Sequence, residues 1–584
     1  MKKVKRKMGL VLAVLLMVTN SCKEDFLTVT PNGSLDAQVL ANARGVDALL
    51  IGTYSMLDGV SSVGFGWEAA SSNWLFGSVR GLEANKGSDA GDQSDITPIQ
   101  TFNETANNPF LNVKWRSVYD GVARANSALA VLATAETNGT ITADGASSFR
   151  KQARVLRGFF HFEAWRMWAK PDGSRVPYVD ENTDQSTLTN TSDVRDLILA
   201  DLEAGTTLPN NMIQIGRFNG TVAKVLFAKA LIQMKKDFAT AKPILESVKT
   251  SGKKPNGAAI GLDPKYGDIF DAANRNTSPE AVYTIQYSVN DGSGGWNGGW
   301  GEVLNFPYKS GASPGGCCGF FQPSNDFVNS FRTSGGLPLL DDTYNAQSVL
   351  NDQGLTAAQS FTEDSGPLDP RLDWTVGRRG IPYLDWGVHT GSDWIRDQSY
   401  AGPYNPKKQV YKKSQEGQLT EVGNWTSGYT ANGYRLIRFA DVLLLLAECQ
   451  IETGDLTGAR TNINLIRARA ANPAGFVKEA DGVTNAANYV VSEYPSSGAP
   501  FDTKDNALKA LRFERKLELG MEGHRFFDLQ RWGMVQTELN RIITYEKTQL
   551  PFLYFNSTVG PRHERYPIPQ SQIDITNGKL KQNQ

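Results

Sequence analysis

"LRFERKLELGMEGHRFFDLQRWG", residues 511–533, sets Leu511, Leu517, Leu519, Phe526, Phe527 and Leu529 among Arg512, Glu514, Arg515, Glu518, Glu522, Arg525 and Asp528. Apolar residues recurring at this spacing predict helix with one face in a core. Glu514, Glu518 and Glu522 stand four apart, an arrangement of like charges that destabilises a helix unless cations offset it. Arginines in the same stretch supply those cations. The carboxylates therefore read as parts of a salt-bridged helical scaffold and not as general acids or bases.

Outward from there, "WRSVYDGVARANSALAVLA" places Trp115, Val118, Tyr119, Val122 and Asn126 at helical spacing, and "ARVLRGFFHFEAWRMWAK" predicts its antiparallel partner. "NGTVAKVLFAKALIQMKKDFATAKPILESV" breaks at Lys236 and Asp237 and resumes at once. "YRLIRFADVLLLLAECQIETGDLTGARTNINLIRARA" repeats that grammar: Asp237 aligns with Asp455, Phe238 with Leu456, and Ala241 with Ala459. A helix, a tight turn and a small residue early in the second helix resemble the tetratricopeptide hairpin. Between about 251 and 432 the periodicity is lost. Gly, Pro, Ser, Asn and aromatic residues dominate, and "AVYTIQYS" and "QVYKK" are the predicted short strands. So much irregular chain on a helical scaffold is where binding loops belong.

With 584 residues, 40% hydrophobic and 21% charged, the composition is that of a folded protein. Removing the five leader cations (Lys2, Lys3, Lys5, Arg6, Lys7) from the formal charge of −1 leaves −6, which argues against nucleic acid as a partner. His161, His389, His524 and His563 are isolated, and no paired-cysteine spacing suggests zinc. Cys449, in an apolar helical stretch, reads as a buried small hydrophobe, and the neighbours Cys317 and Cys318 could pair only through a strained ring. Asp89, Asp92 and Asp95 lack the calcium-loop pattern and read as a solvated acidic loop; no metal and no cofactor are expected.

The C-terminal stretch, with "YPIPQSQIDITNGKLKQN" near the end, resembles the RagB/SusD family of outer-membrane nutrient-binding lipoproteins. "CKEDFL" at 22–27, "ARVLRGFFHFEAWRMW" at 153–168, "GFFQPSNDFVNSFRTSGGLPL" at 319–339 and "DPRLDWTVGRRG" at 369–380 resemble family segments in the same order. The resemblance implies a mostly α, SusD-like fold: tetratricopeptide-like helical hairpins plus an irregular, loop-rich ligand-binding part with short strands. Residues 22–584 are then one unit, its helical scaffold mainly 35–250 and 433–545 and its ligand-binding region about 251–432. The implied partner is a SusC-like TonB-dependent transporter of the outer membrane.

At the other end, a basic n-region and an apolar run from Met8 to Val18, about half a membrane thickness as helix, describe an export signal of residues 1–21. Cys22 resembles the lipid-modified first residue of a bacterial lipoprotein, although Thr19 and Asn20 depart from the usual lipobox. Lys23, Glu24 and Asp25 resemble the surface-export tag of Bacteroidetes lipoproteins. The expected location is the outer membrane, lipid-anchored and facing outward.

Twelve Trp and nineteen Tyr, many in glycine-rich loops, exceed what core packing needs. Sugar rings bind flat apolar faces with hydroxyl partners nearby, and Trp offers the largest such face. "VNDGSGGWNGGWGEVLNFPY", residues 289–308, offers Trp296 and Trp300, with Asn297 and Glu302 as hydroxyl partners. Trp67 and Trp74 come from "VGFGWEAASSNWLFG", Trp74 in a segment that reads as packing. Trp386 and Trp394, with Arg396 and Asp397, are the reserve set. Together these features predict a non-catalytic surface protein that captures an oligo- or polysaccharide, a neutral glucan or fructan with a laminarin-like β-glucan as the specific expectation. The competing classes are a surface glycoside hydrolase and a tetratricopeptide-type scaffold for peptides or proteins.

Overall fold

The computed structural model describes residues 37–62, 64–308, 313–423, 426 and 428–584; the leader and Cys22 lie outside them. Several of its helices begin where short polar side chains satisfy free backbone N–H groups. Asn42 caps α1 (Ala43–Tyr54), and Asn108, followed by a proline, caps α2 (Pro109–Thr137). Thr142 caps α3 (Ala143–Trp168). α2 and α3 form the predicted antiparallel pair, with the Phe160 ring lying where a β-carbon on Gly121 would stand. α4 (Arg195–Ala204) packs on α3, and the salt bridge from Arg157 Nε to Asp201 at 2.7 Å joins them.

Both predicted hairpins are present, α5 (Gly220–Ala230) with α6 (Phe238–Ser251) and α7 (Phe439–Glu452) with α8 (Leu456–Ala470). Their register is the one read from the sequence. Asp237 accepts from Thr240 N–H, Asp455 from Gly458 N–H, and Ala241 and Ala459 are wholly buried. α6 packs on α7, so the two hairpins form one layer. The opening stretch divides into α9 (Lys504–Leu519) and α10 (Arg525–Trp532), separated by a turn that holds Glu522, and α11 (Val535–Gln549) follows. Glu522 is thus off the helix that carries Glu514 and Glu518.

The strands of the middle region form two-stranded ladders. β1 (Ala84–Gly87) pairs antiparallel with β3 (Phe320–Pro323), and β2 (Ala281–Thr284) with β4 (Arg435–Arg438). β2 covers the first half of "AVYTIQYS". "QVYKK" is not a strand: the nearby ladder is Asn405–Pro406 against Val376–Gly377. The Lys408 ammonium turns inward to the carbonyls of Glu518 and Gly520 and the carboxylate of Glu522, and Val410 and Tyr411 are both buried, so the alternation of a strand is lost.

That lysine belongs to a larger buried ion network. Arg371 meets Asp369, Glu514 and Glu518; Arg467 meets Glu514; Arg469 meets Glu518 and Glu280. Arg438 meets Glu280, Glu518 and Glu522. Glu514, Glu518 and Glu522 are neutralised, as their spacing demanded, but by cations from other segments and away from water. Their charges bolt the loop-rich region to α8, α9 and β4. Among the described residues no helix is long and apolar enough to cross a membrane.

Candidate functional site

The break between α1 and α2 and the glycine-rich segment 289–301 meet on one face. A single helical turn, Gly66–Ala69, carries Trp67; the Glu68 carboxylate closes it by accepting from Phe65 N–H at 2.8 Å. Trp74 sits behind, buried edge-on to Phe320 and Phe321, and its indole N–H donates to the Trp67 carbonyl at 3.0 Å. It is a packing residue that positions Trp67 and offers no face to a ligand.

Gly66 lets this turn touch the opposite loop, since a β-carbon there would stand 2.5 Å from Trp300 Cβ. Gly295 has φ of +86°, and its missing β-carbon makes room for the Tyr429 ring. The glycines thus let neighbouring rings cover an indole that the sequence offered as a ligand face. Trp300 is only 4% exposed, its N–H donating to the Gly295 carbonyl at 2.9 Å. Around it the rings run nearly parallel: Trp296 at 4.8 Å and 19°, Phe65 at 5.6 Å and 15°, Trp67 at 5.7 Å and 27°. Phe65 and Trp67 stack at 4.5 Å, and Tyr429 closes the group at 4.9 Å from Trp300. Trp296 is 53% exposed and Phe65 42%, with Trp67 partly buried. The result is an aromatic platform whose outer rings face solvent and whose inner ring anchors them.

Of the polar candidates, Asn297 is exposed beside Trp296, its amide donating to Asp291 at 2.8 Å. Hydrogen bonds from Asn297 and Ser293 hold the Asp291 carboxyl well below its usual range. Glu302 does not reach the surface. It is 5% exposed, its carboxyl accepts from Tyr287 O–H, and burial pushes it up to about 7. Trp394 is buried edge-on to Tyr383 and His389 in a separate cluster, and Trp386 donates to the Tyr411 carbonyl. Arg396 is paired with Asp89 and Asp92, both at 2.7 Å, and Asp397 caps a helical turn. The reserve set therefore lies apart from the platform.

The acidic loop carries its own cations. Lys86 Nζ donates to the carbonyls of Asp89 and Asp92 at 2.6 and 2.5 Å, while Arg396 takes their carboxylates. Among the described residues no group of three or more His, Cys, Asp or Glu is arranged to hold a metal ion. Cys317 and Cys318 are joined as a disulfide, and Cys449 is free and buried.

A cavity of about 460 Å³ lies on the helical side, floored by Trp115 and Tyr119. Its polar lining is committed: the Tyr119 hydroxyl donates to the Pro177 carbonyl, and Asn126 bonds both Val179 and Arg157. The platform, with exposed rings stacked from two segments, is the better candidate. Sequence reasoning missed Phe65 and Tyr429. Phe65 had a signal, standing between two glycines two residues before Trp67; Tyr429 had none.

Two family models match the chain: one described as the SusD family, over residues 279–584, and one described as starch-binding and associating with the outer membrane, over residues 57–231. A SusD-like protein of Formosa agariphila is 22% identical over 474 residues, spanning 79% of this chain and 76% of its own. Among solved structures, a laminarin-binding SusD-like protein superposes with a TM-score of 0.64 at 20% identity, covering 93% of this chain and 99% of the other. Surface glycan-binding protein A from Bacteroides thetaiotaomicron, in complex with laminarihexaose, does so with a TM-score of 0.61 at 19% identity, covering 92% and 99%. At such identities the superpositions speak for a shared fold.

Proposed function

Because the chain belongs to the SusD family, we propose that it is a cell-surface glycan-binding lipoprotein that captures an oligo- or polysaccharide and delivers it to a SusC-like TonB-dependent transporter. The observation that carries this reading is the platform: Trp296 and Phe65 present large apolar faces to solvent, an arrangement that is unfavourable unless a flat apolar ligand covers it. The C–H faces of sugar rings are such ligands. The export signal and Cys22 support a lipid anchor in the outer membrane, and the Lys23–Glu24–Asp25 tag supports an outward-facing position. Among the described residues no basic cluster surrounds the platform, which favours a neutral glycan. Similarity to proteins that bind laminarin or laminarihexaose favours a laminarin-like β-glucan.

Capture without hydrolysis fits the acids nearby. Glu302 is buried beneath the rings, Glu68 holds the Phe65 N–H, and Asp291 is engaged by Asn297. A hydrolase needs two free carboxyl groups about 5 to 9.5 Å apart across the bound bond. The test is calorimetric titration of the mature chain with laminarin, other neutral glucans, a fructan and a polyuronate, alongside Trp296→Ala and an assay for released reducing ends. Binding to a neutral glycan, lost in the variant and without new reducing ends, is the expected result; binding untouched by Trp296→Ala, or glycan cleavage, overturns the reading.

A further inference from the structure

The binding face extends beyond Trp296. Asn297, the next residue, also stands on the rim of a groove of about 360 Å³ that runs between the end of α1, residues 214–217 and the chain leaving β2. That volume lies within the range of about 300–1,000 Å³ typical of small-ligand sites. Its wall and the platform loop are one piece, since Ser288 N–H donates to the Asn297 carbonyl at 2.8 Å.

The groove is lined by polar groups with capacity to spare. Arg217 is 7% exposed and lies over the Tyr54 ring; its Nε donates to Gln214 at 2.8 Å and one terminal nitrogen to Asp47 at 2.7 Å. The other terminal nitrogen, also buried, has no hydrogen-bond partner among the described residues. A buried donor left unmatched is costly. Across the groove, Asp58 accepts from Val60 N–H at 2.7 Å, and Gln286 is exposed on the rim. A ring hydroxyl both donates and accepts, so it suits a groove that offers a guanidinium and a carboxylate together. Asp47 already neutralises Arg217, so the groove lining holds no spare cation for a uronate or sulfate among the described residues.

We propose that this groove is a second subsite, continuous with the platform through Asn297, that takes the further sugar units of an uncharged polyhydroxylated chain. The inference rests on the glycan-binding reading. The test is a calorimetric series of neutral β-glucan oligosaccharides, from disaccharide to octasaccharide, on the full mature chain. The variants are Gln286→Trp, which fills the groove from an exposed position, Asp58→Asn, which keeps its shape, and Trp296→Ala. The expected result is wild-type affinity that climbs with chain length, and groove variants that lose about tenfold on the long chains while leaving the short ones unchanged. Long chains that bind both groove variants as tightly as wild type, while Trp296→Ala abolishes binding, overturn the groove alone. A wild type that binds no glycan of any length overturns the capture reading and the groove with it. An oligogalacturonate of matched length binding as tightly as the neutral chain overturns the assignment to uncharged ligands.

Discussion

Trp296 and Trp300 are four residues apart and play opposite parts. Trp296→Ala removes an exposed ring and is expected to abolish glycan binding with the melting temperature nearly unchanged. Trp300→Ala empties the centre of the stack and is expected to cost about 3–5 kcal/mol in denaturant unfolding, as for other buried aromatic side chains. Glu302, beneath them, carries a pH signature. Its carboxyl titrates near 7 in the fold, raised first by burial, against 4.5 when free. Stability from the protonated form is complete below 4.5 and lost as pH rises through 7, a penalty of about 3 kcal/mol at pH 8. Glu302→Gln removes that penalty, so the variant's advantage in melting temperature should widen between pH 5 and pH 8. Trp67 and Trp296 stood out in the sequence as indoles in glycine-rich chain. The burial of Trp300 and Glu302 was not legible, because a loop without periodicity does not declare which side faces inward, and Tyr429 arrives from far along the chain.

The two hairpins share the capping aspartate and the small contact alanine, and a difference at the turn is informative. At the turn between the helices Gly454 has φ of +89°, while Lys236 holds the equivalent place at +53°. A side chain in that left-handed conformation costs roughly 1–2 kcal/mol, partly offset by the greater entropy a glycine loses on folding. Lys236→Gly is therefore expected to stabilise by about 0.5–1 kcal/mol, and Gly454→Ala to destabilise by a similar amount, both read by chemical denaturation. Asp237→Ala and Asp455→Ala should each cost about 1 kcal/mol through the lost caps. These elements were readable in advance because capping residue, turn and small contact residue lie within a few positions of one another. "QVYKK" misled for the converse reason: Lys412 pairs with Asp271 and the Tyr411 carbonyl accepts from the Trp386 indole, contacts that no local pattern shows.

Over the whole molecule, the buried ions decide how the loop-rich region is held. Glu518 alone meets Arg371, Arg438 and Arg469, and Glu518→Gln should cost about 3–5 kcal/mol by leaving buried guanidinium groups unmatched. Salt should not reproduce that loss, since buried pairs are poorly screened; urea unfolding of wild type and variant in low and high sodium chloride checks both statements. The carboxylates were visible as a spacing in one stretch, but their partners lie from 47 to 147 residues away along the chain, which no local pattern reveals. The turn at residues 86–92 follows the same rule on a smaller scale, with the Lys86 ammonium drawn in among its carbonyls. A counter-ion tethered by a covalent bond can be neither diluted nor stripped away. That turn should keep its shape in hard water, soft water or a chelating wash.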